Sequence, residues 1–346
     1  MKKISKTEYL YMEKILITGA SGFIGSCMVE QGLERGMQVW AGVRGSSSRR
    51  YLADPRTEFA ELNLNNKEQL VRQLLEHKHQ HGGWDYIIHA AGATKCLHKD
   101  DFMRTNYEGT RNLVEALKEV GIVPRMFVFV SSLSVCGPVR EQMPYKPILP
   151  TDTPQPNTAY AESKLRAEEF LKQSEIPFVI LRPTGVYGPR ERDYFLMFKS
   201  IKSGLDTAVG FRQQDITFIY VADLVEAAFL ALTKGVCGRQ YMLSDGHVYS
   251  SRAFSDLIQR ELGKRFVLHL TFPLCVLKVV SLCAEKVCAM LGKSSTLNSD
   301  KYNIMKQRNW QCDISDAQRD LGYTPQFDLE RGVHLTAQWY KENKWI

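Results

Sequence analysis

The sequence has no long hydrophobic run, no secretory leader and no clustered cysteines. No stretch approaches the about 20 consecutive apolar residues that a membrane-spanning helix needs. Residues 1–14 carry charge but lack the apolar core of a signal peptide. The eight cysteines are scattered without a C-x-x-C pair, which argues against a zinc site or a disulfide framework, and we expect no metal. These absences predict a soluble, cytoplasmic protein without a transmembrane segment.

Neither sign of charge is in large excess. The chain has 45 Lys and Arg against 38 Asp and Glu, which gives a formal net charge of +7. This mild basicity favours anionic ligands, but there is no long Lys/Arg run or aromatic-basic motif, so we expect no nucleic-acid partner. The 346 residues are 44% hydrophobic, which is ordinary globular usage, and the length predicts about two domains.

Strand-like and helix-like segments alternate along the first two thirds of the chain, as in a strand–helix–strand unit. This alternation predicts an α/β fold with a doubly wound parallel sheet, a Rossmann domain, over residues 12–183 plus 215–235. The pattern loosens elsewhere, and residues 184–214 plus 236–346 are predicted to form a smaller, mostly helical substrate lobe. Residues 1–11 are predicted to be a polar arm. The predicted strands are 14–19, 37–43, 84–89, 125–130 and 178–181, and the predicted helices are 24–33, 68–75, 105–120 and 160–173.

A glycine-rich turn follows the first predicted strand. Gly19, Gly22 and Gly25 form G-x-x-G-x-x-G and open the first helix. Glycine lets the backbone turn sharply and approach a pyrophosphate, and a helix N-terminus offers N–H groups and its dipole to that charge. The sequence therefore favours dinucleotide binding over a merely structural turn.

The end of the second predicted strand bears on the choice between NAD and NADP. An acidic residue there would bind a ribose 2′-hydroxyl and repel a 2′-phosphate. This segment instead offers Arg44 and Ser46, with Arg49 and Arg50 close behind. Guanidinium groups suit a phosphate, so we expect NADP(H), with NAD(H) as the alternative; a solvated basic loop is the plainer interpretation.

A phenol and an amine lie four residues apart on one predicted helix. Tyr160 and Lys164 share a helical face, and a nearby ammonium favours phenolate and so lowers the pKa of a tyrosine. Alone, such a pair is typical of a helix surface. Ser131, Ser132 and Ser134, however, follow the buried strand 125–130, at the sheet edge where ligands of such folds bind. The combination indicates an acid–base site.

Motifs along nearly the whole chain carry a family resemblance. They are TGASGFIG at 18–25, HAAG at 89–92, NYEGT at 106–110, SSLSVCG at 131–137, YAESK at 160–164, RPTGVYGP at 182–189 and YVADLVEAA at 220–228. Together they resemble the extended short-chain dehydrogenase/reductase family, also called the NAD-dependent epimerase/dehydratase family. The resemblance implies a small-molecule enzyme and a homodimer that packs two helices per subunit, one of them carrying Tyr160.

The resemblance also implies site roles. Tyr160 would be the acid/base, Lys164 would hold the nicotinamide ribose and tune Tyr160, and Ser132 would hydrogen-bond the substrate oxygen. Asn106 would belong to the third-strand side of the site. Cofactor contacts are implied for Gly19, Gly22, Phe23, Ile24 and Gly25 at the pyrophosphate, for Asn63, Leu64, Ala90, Ala91 and Gly92 at the adenosine, and for Pro183 and Val186 at the nicotinamide, beside Arg44 at the ribose.

Departures from the family pattern narrow the reaction. Leu133 and Ser134 stand where sugar-nucleotide dehydratases carry an Asp-Glu pair, and Ile216 stands where many relatives carry a diphosphate-binding Arg. Cys136 replaces a frequent Tyr. We therefore expect hydride transfer between NADP(H) and a carbonyl or secondary alcohol of a small apolar molecule. The alternative is a nucleotide-sugar epimerase/dehydratase, in which Arg190 or Arg192 would hold the diphosphate.

The C-terminal third supports the apolar substrate. Its tail, residues 308–346, resembles the dihydroflavonol-reductase-like and 3β-hydroxysteroid-dehydrogenase-like branches, which act on apolar molecules. Residues 273–291 predict an apolar helix with Lys278, Ser281 and Glu285 on one stripe. The plainer interpretation is a packed lobe helix with that stripe in water; the alternatives are a cap over an apolar substrate and a membrane-contacting surface.

Overall fold

The computed structural model describes residues 12–290 and 298–346, so the predicted polar arm at 1–11 lies outside the described residues. In those ranges the strands are β1 (Lys14–Thr18), β2 (Gln38–Val43), β3 (Glu58–Glu61), β4 (Tyr86–His89), β5 (Met126–Val130), β6 (Phe178–Pro183), β7 (Gly185–Tyr187), β8 (Leu205–Val209), β9 (Asp215–Ile216), β10 (Phe218–Tyr220), β11 (Gln240–Leu243), β12 (Tyr249–Ser250) and β13 (Leu268–Phe272). The α-helices are α1 (Phe23–Glu34), α2 (Lys67–His81), α3 (Lys99–Phe102), α4 (Gly109–Val120), α5 (Ala159–Gln173), α6 (Asp193–Lys202), α7 (Val221–Lys234), α8 (Ala253–Glu261), α9 (Leu274–Met290), α10 (Ser299–Lys306), α11 (Ser315–Leu321) and α12 (Leu329–Glu342). A π-helical turn at Met103–Glu108 precedes α4, and a 3-10 turn spans Leu133–Cys136.

The central element is a seven-stranded parallel sheet in the order β11-β6-β5-β4-β1-β2-β3. Because β1 stands in the middle and the order runs outward on both sides, this is the predicted doubly wound Rossmann-type α/β fold. The strands β5 and β6 are buried along their whole length, as parallel strands covered by helices on both faces must be.

Alternating side chains of each strand build two apolar layers. In β1, Ile15 and Ile17 point into one layer and Leu16 into the other. The first layer packs against α1 and α7, and the second packs against α2, α4 and α5. Helix α5 is therefore fixed to the sheet through Ala167 and Leu171, both fully buried.

Two strands of this sheet differ from the sequence prediction. The edge strand β3 was not predicted, because Glu58-Phe59-Ala60-Glu61 is short and has charge at both ends. The other edge strand, β11, was assigned to the helical lobe that begins at 236, but it pairs with β6 from Gln240 to Leu243. The sheet therefore extends beyond the predicted boundary at residue 235.

The lobe has its own core beyond the carboxyl end of β6. Helices α6, α8 and α12 enclose the buried rings of Tyr187, Phe198, Phe254 and Tyr340. The short parallel pair β7–β10 joins this core to the main sheet. Among the described residues, no helix combines the length and the hydropathy that crossing a bilayer requires.

The apolar helix predicted at 273–291 is present as α9, but its faces differ from the prediction. Ser281, expected in water, is fully buried, and Glu285 is half-buried and accepts a hydrogen bond from the Ser299 backbone N–H at 3.0 Å. Of the predicted wet stripe, Lys278 alone is exposed. Helix α9 instead turns valines outward, so it is not the packed lobe helix that the sequence predicts.

Candidate active site

The predicted acid–base residues meet at the carboxyl edge of the sheet. Ser132 lies directly after β5 and caps the 3-10 turn, and Tyr160 and Lys164 lie in the first two turns of α5. Helix α5 begins where it does because the Thr158 hydroxyl accepts the Ala161 backbone N–H at 3.1 Å. That cap fixes the height of Tyr160 above the sheet.

Ser132 is the neighbouring hydroxyl that influences the ionisation of Tyr160. Burial raises the pKa of Tyr160 to about 12, and the Ser132 hydroxyl opposes that rise. Ser134, the competing hydroxyl, donates to Ser132 Oγ at 2.9 Å. Ser134 is thus directed at Ser132, and Ser132 is the hydroxyl that neighbours Tyr160. The ring of Phe102 packs edge-on against Tyr160, with ring centroids 6.2 Å apart.

Lys164 lies beneath the same site, and its ammonium Nζ donates to the Val130 carbonyl at 2.9 Å. Burial lowers its pKa to about 8, and the charge of Glu168 opposes that shift. The sequence predicts that Lys164 lowers the pKa of Tyr160, but in this structure the pKa of Tyr160 is raised. The reason is burial of the phenol, which outweighs the favourable effect of Ser132.

A buried ion pair supports the catalytic helix from below. Glu168 and Arg182 are both fully buried, with Arg182 Nε 3.0 Å and Nη2 2.5 Å from the Glu168 oxygens. Ser131 donates to the same carboxylate at 2.5 Å. The sequence analysis missed this pair, although Glu168 lies one turn beyond Lys164 and Arg182 is a lone charge in an apolar strand. Both features signal a buried partner.

Two further buried groups connect the site to its surroundings. The Asn106 amide oxygen accepts the Ala93 N–H at 2.7 Å, and its Nδ2 donates to Ser163 Oγ at 2.9 Å. Asn106 therefore fastens the loop after β4 to α5, on the side that the sequence predicts. His89 bridges Thr18 at 2.7 Å and Thr110 at 2.9 Å, and burial lowers its pKa to about 3, so it is neutral.

The glycine turn has the shape that a pyrophosphate requires. A Cβ atom placed on Gly19 would lie 2.7 Å from the Ala90 carbonyl oxygen and the Ala91 nitrogen, and one on Gly25 would collide with the Gly19 carbonyl. Gly22 caps α1 without a side-chain hydrogen bond, and the first turn has no acidic residue. Phe23 and Ile24 open the helix, so their backbone lies at its positive end. The chain therefore fits a dinucleotide here.

The residues predicted around the adenosine lie at neighbouring strand ends. Arg44 is exposed after β2, and its N–H donates to Ser47 Oγ at 3.0 Å in a tight turn. The sequence analysis missed Glu61 at the end of β3, whose Oε1 would lie 2.9 Å from a Cβ on Gly45. A carboxylate therefore stands beside the basic loop that we expect to hold a 2′-phosphate.

Asn63 and Leu64 follow β3. Asn63 donates from Nδ2 to Gln69 Oε1 at 2.7 Å, and its Oδ1 accepts the Asn65 N–H at 3.2 Å. The amide expected to reach adenine is thus held by its own loop and must release a partner to do so. Leu64 packs against the second apolar layer.

The remaining residues that the sequence predicts to contact the cofactor follow β4 or lie at the end of β6 and in β7. Gly92 approaches the centre of the site, since its Cβ would lie 3.1 Å from Lys164 Nζ. Ala91 donates its N–H to Thr18 Oγ1 at 3.3 Å, beside Ala90. Pro183 ends β6 in a buried position, and Val186 is half-buried in β7.

Three arginines are candidates for contacting an anionic substrate. Arg190, a predicted diphosphate ligand, is committed to α1, with Nη1 2.9 Å from Ser26 Oγ and Nη2 2.6 Å from Glu30 Oε1. Arg192 is exposed before α6. Arg308 is buried in the lobe against Gly210, and its Nη1 has no hydrogen-bond partner among the described residues. No motif in the sequence points to this residue.

Comparisons with known proteins agree with this geometry. The profile of the NAD dependent epimerase/dehydratase family matches residues 15–244. A Bacillus subtilis protein named as an uncharacterized UDP-glucose epimerase, YtcB, is 30% identical over 92% of this chain and 95% of its own. A 3-beta-hydroxysteroid dehydrogenase of Mycolicibacterium neoaurum is 26% identical over 95% of this chain and 92% of its own. The dTDP-glucose 4,6-dehydratase of Bacillus anthracis, solved with NAD, superposes with a TM-score of 0.74 at 20% identity, covering 96% of this chain and 98% of that one.

Proposed function

The chain belongs to the NAD dependent epimerase/dehydratase family, and on that premise we propose that it is an NAD(P)-dependent oxidoreductase acting on a carbonyl or secondary alcohol of a small apolar molecule. The observation that carries the proposal is the placement of Tyr160 and Lys164 in the first two turns of α5, beside Ser132 and Gly92, at the sheet edge where the Gly19 turn also lies. Such a constellation handles one proton at one substrate oxygen.

Each residue has a distinct part in the proposed reaction. A bound nicotinamide dinucleotide supplies or accepts the hydride. In reduction, the Tyr160 hydroxyl donates its proton to the carbonyl oxygen, and in oxidation the phenolate takes the proton from the alcohol. Ser132 holds that oxygen beside Tyr160 by a hydrogen bond. Lys164, whose Nζ is held at the Val130 carbonyl, would bind the nicotinamide ribose.

The surroundings of Ser132 argue against water elimination. Leu133 is buried, and Ser134 is turned toward Ser132. Neither side chain can act as the acid–base pair that elimination needs next to the sugar. A simple redox reaction needs no further acid or base, and the steroid dehydrogenase among the relatives acts, by its name, on an apolar alcohol.

NADP(H) is our proposed cofactor, with NAD(H) as the alternative. Arg44 is exposed at the end of β2, where a 2′-phosphate would lie, and this supports NADP(H). The nearby Glu61 and the NAD complex of the Bacillus anthracis structure support NAD(H).

A nucleotide-sugar epimerase is the second candidate, and Arg308 is the observation that favours it. A buried guanidinium with an unpartnered Nη1 can bind a diphosphate that enters the lobe. This route does not use Arg190, which is already paired with Glu30.

One assay separates the two candidates. We expect apolar ketones, such as steroid and long-chain ketones, to oxidise NADPH in equal molar amount, and UDP-glucose to remain unchanged. Epimerisation of UDP-glucose without net change of cofactor, together with no oxidation of NADPH by any ketone, would refute the leading proposal. Replacing Arg308 with Met should leave ketone reduction intact but abolish a sugar-nucleotide activity.

We also propose a homodimer that pairs α4 and α5 with their symmetry mates. The support is the family resemblance and the charged outer faces of these helices, for example Arg111, Glu115 and Arg166. Light scattering after size exclusion tests this, with twice the chain mass of 39.5 kDa as the expected result.

A further inference from the structure

Exposed apolar side chains concentrate in one part of the lobe. Among the described residues, ten of the nineteen exposed large hydrophobic side chains lie within residues 266–290, which we call the outer segment. It consists of β13, the residues that precede it, and α9. Examples are Phe266, Phe272, Val279 and Val287. Exposed apolar side chains concentrated in this way usually mark an interaction site.

Helix α9 presents an apolar face to solvent, not to the protein. Leu277 and Ser281, one turn apart, are its buried side. Val279 lies on the opposite side, and Val276 and Val280 lie on one flank of the helix; all three are exposed. A surface helix normally buries its apolar face and exposes its polar face to solvent. The arrangement therefore calls for an apolar partner on the outside.

The charges of the outer segment and of the two residues before it indicate the chemistry of that partner. Residues 264–290 contain Lys264, Arg265, Lys278 and Lys286 against the single acid Glu285, so their formal charge is 4 − 1 = +3. Lys278 and Lys286 are exposed on the same helix as the outward valines. Glu285 is turned inward to Ser299. Exposed valines and lysines on one helix match a lipid surface, whose acyl chains are apolar and whose headgroups can be negatively charged.

The outer segment is also linked to the start of helix α5. Helix α10 packs on α9, and its Asp300 accepts the Ala159 backbone N–H at 2.9 Å, directly before Tyr160. From the same helix, Asn303 donates to the Asn157 carbonyl at 2.9 Å. A partner that covers α9 is therefore separated from the start of α5, where Tyr160 lies, by one helix.

We propose that the outer segment docks on the surface of a bilayer containing anionic lipids. The 17-residue α9 lies in the plane of the interface, with its valines among the acyl chains and Lys278 and Lys286 reaching the phosphates. The two lysines in the helix body favour this orientation over insertion. The proposal holds whichever reaction the enzyme catalyses, and with an apolar substrate it places the entrance next to the phase in which that substrate dissolves.

Vesicle flotation with the full chain tests the proposal. Vesicles of phosphatidylcholine with phosphatidylglycerol should carry the protein upward, and pure phosphatidylcholine should carry much less. The double variant Val279→Asp/Val287→Asp, at side chains 61% and 55% exposed, should lower the partition coefficient by at least about tenfold. Lys278→Gln/Lys286→Gln should weaken only the binding to anionic vesicles, and added salt should mimic it.

Matched controls keep the result interpretable. Val236→Asp/Val248→Asp alters side chains 47% and 50% exposed outside the outer segment and should float like the unmodified protein. Lys146→Gln/Lys172→Gln removes two exposed lysines elsewhere. Because all these sites are exposed, circular dichroism should show the same fold throughout.

Three outcomes would overturn the proposal. One is an unmodified protein that binds neither kind of vesicle. Another is flotation that persists in Val279→Asp/Val287→Asp. The third is a second copy of the chain as the occupant: light scattering would then show an oligomer that this double variant reduces, with no flotation of either protein.

Discussion

At the residue scale, Lys164 is held in a place that disfavours its charge. The side chain is almost fully buried, and burial lowers its pKa to about 8 from the ordinary 10.5. Below pH 8 the folded protein keeps the ammonium buried, at a cost of about 3 kcal/mol at about 1.4 kcal/mol per pKa unit. Between pH 8 and 10.5 the unfolded chain holds a proton that the folded chain has lost, so the contribution of Lys164 to the unfolding free energy rises with pH.

Replacing Lys164 with Met removes this cost. At pH 7 we expect the variant to be more stable than the unmodified protein by about 2 kcal/mol, since the lost bond to the Val130 carbonyl offsets about 1 kcal/mol. The advantage should shrink as the pH rises from 8 to 10.5. Urea unfolding of both proteins at pH 7 and pH 10, without cofactor, checks this. A stability difference that does not change with pH would contradict the assigned cause.

Individual side chains could be predicted from sequence only where a motif fixes their role. Tyr160, Lys164, Ser132 and the glycines meet as expected, because the end of a parallel strand and the first turns of the next helix share one sheet edge. Glu61 could not be foreseen, because its position depends on the unpredicted strand β3. The predicted direction of the Tyr160 pKa shift is wrong, because the sequence shows the neighbouring amine but not how deeply the phenol is buried.

At the element scale, α5 is anchored by Glu168. This carboxylate binds Arg182 and Ser131 inside the sheet layer, with no exposure to water. Its neighbour Glu169 is half-exposed and lies 3.7 Å from Arg166. The two glutamates therefore offer a buried and an exposed ion pair on one helix.

Glu168→Gln should lower the unfolding free energy by about 3 kcal/mol, because it leaves the Arg182 charge buried without a counter-charge. Glu169→Gln, the matched control, should change it by less than about 1 kcal/mol, since exposed pairs contribute little. Urea denaturation measures both. Equal losses in the two variants would show that the buried pair does not anchor the helix.

We propose that the loop after β2 sets the cofactor preference. Arg44→Ala should weaken NADPH binding by about tenfold and leave NADH binding unchanged, since it removes one charge-assisted contact to a phosphate. Glu61→Gln should tighten NADPH by relieving repulsion. Arg56→Ala is the control, because this guanidinium is already paired with Asp54 at 2.7 Å. Fluorescence titration of both cofactors measures the series, and tighter binding of NADH by the unmodified protein would contradict the proposal.

Elements were predictable where periodicity was strong. The central strands read as apolar runs and α1, α4 and α5 as periodic helices, and these are confirmed. The weak strands β3 and β11 at the sheet edges were missed, since edge strands carry polar residues and few neighbours. The sequence predicts that the polar stripe of α9 faces water and that its apolar side is packed. Tertiary contacts instead bury Ser281 and leave the valines exposed.

At the scale of the whole molecule, the lobe and the sheet meet at the start of α5. Helix α10 reaches it through Asp300, which accepts the Ala159 backbone N–H, and the 3-10 turn after β5 packs against the same helix. This convergence follows from the parallel fold, whose strand ends gather on one edge. What enters from the lobe side, at Arg308 or along α9, depends on contacts between distant segments that no local pattern encodes.

Turnover of Tyr160→Phe is the measurement that tests the central claim most directly. Removing one hydroxyl leaves the half-buried ring packed against Phe102, so the fold and the affinity for NADPH should be retained. We predict that kcat/KM falls by at least about 100-fold, since no group remains to exchange the proton, and that Tyr107→Phe on the adjoining π-helical turn retains full activity. Undiminished turnover by Tyr160→Phe, with the cofactor bound as in the unmodified protein, would contradict the account.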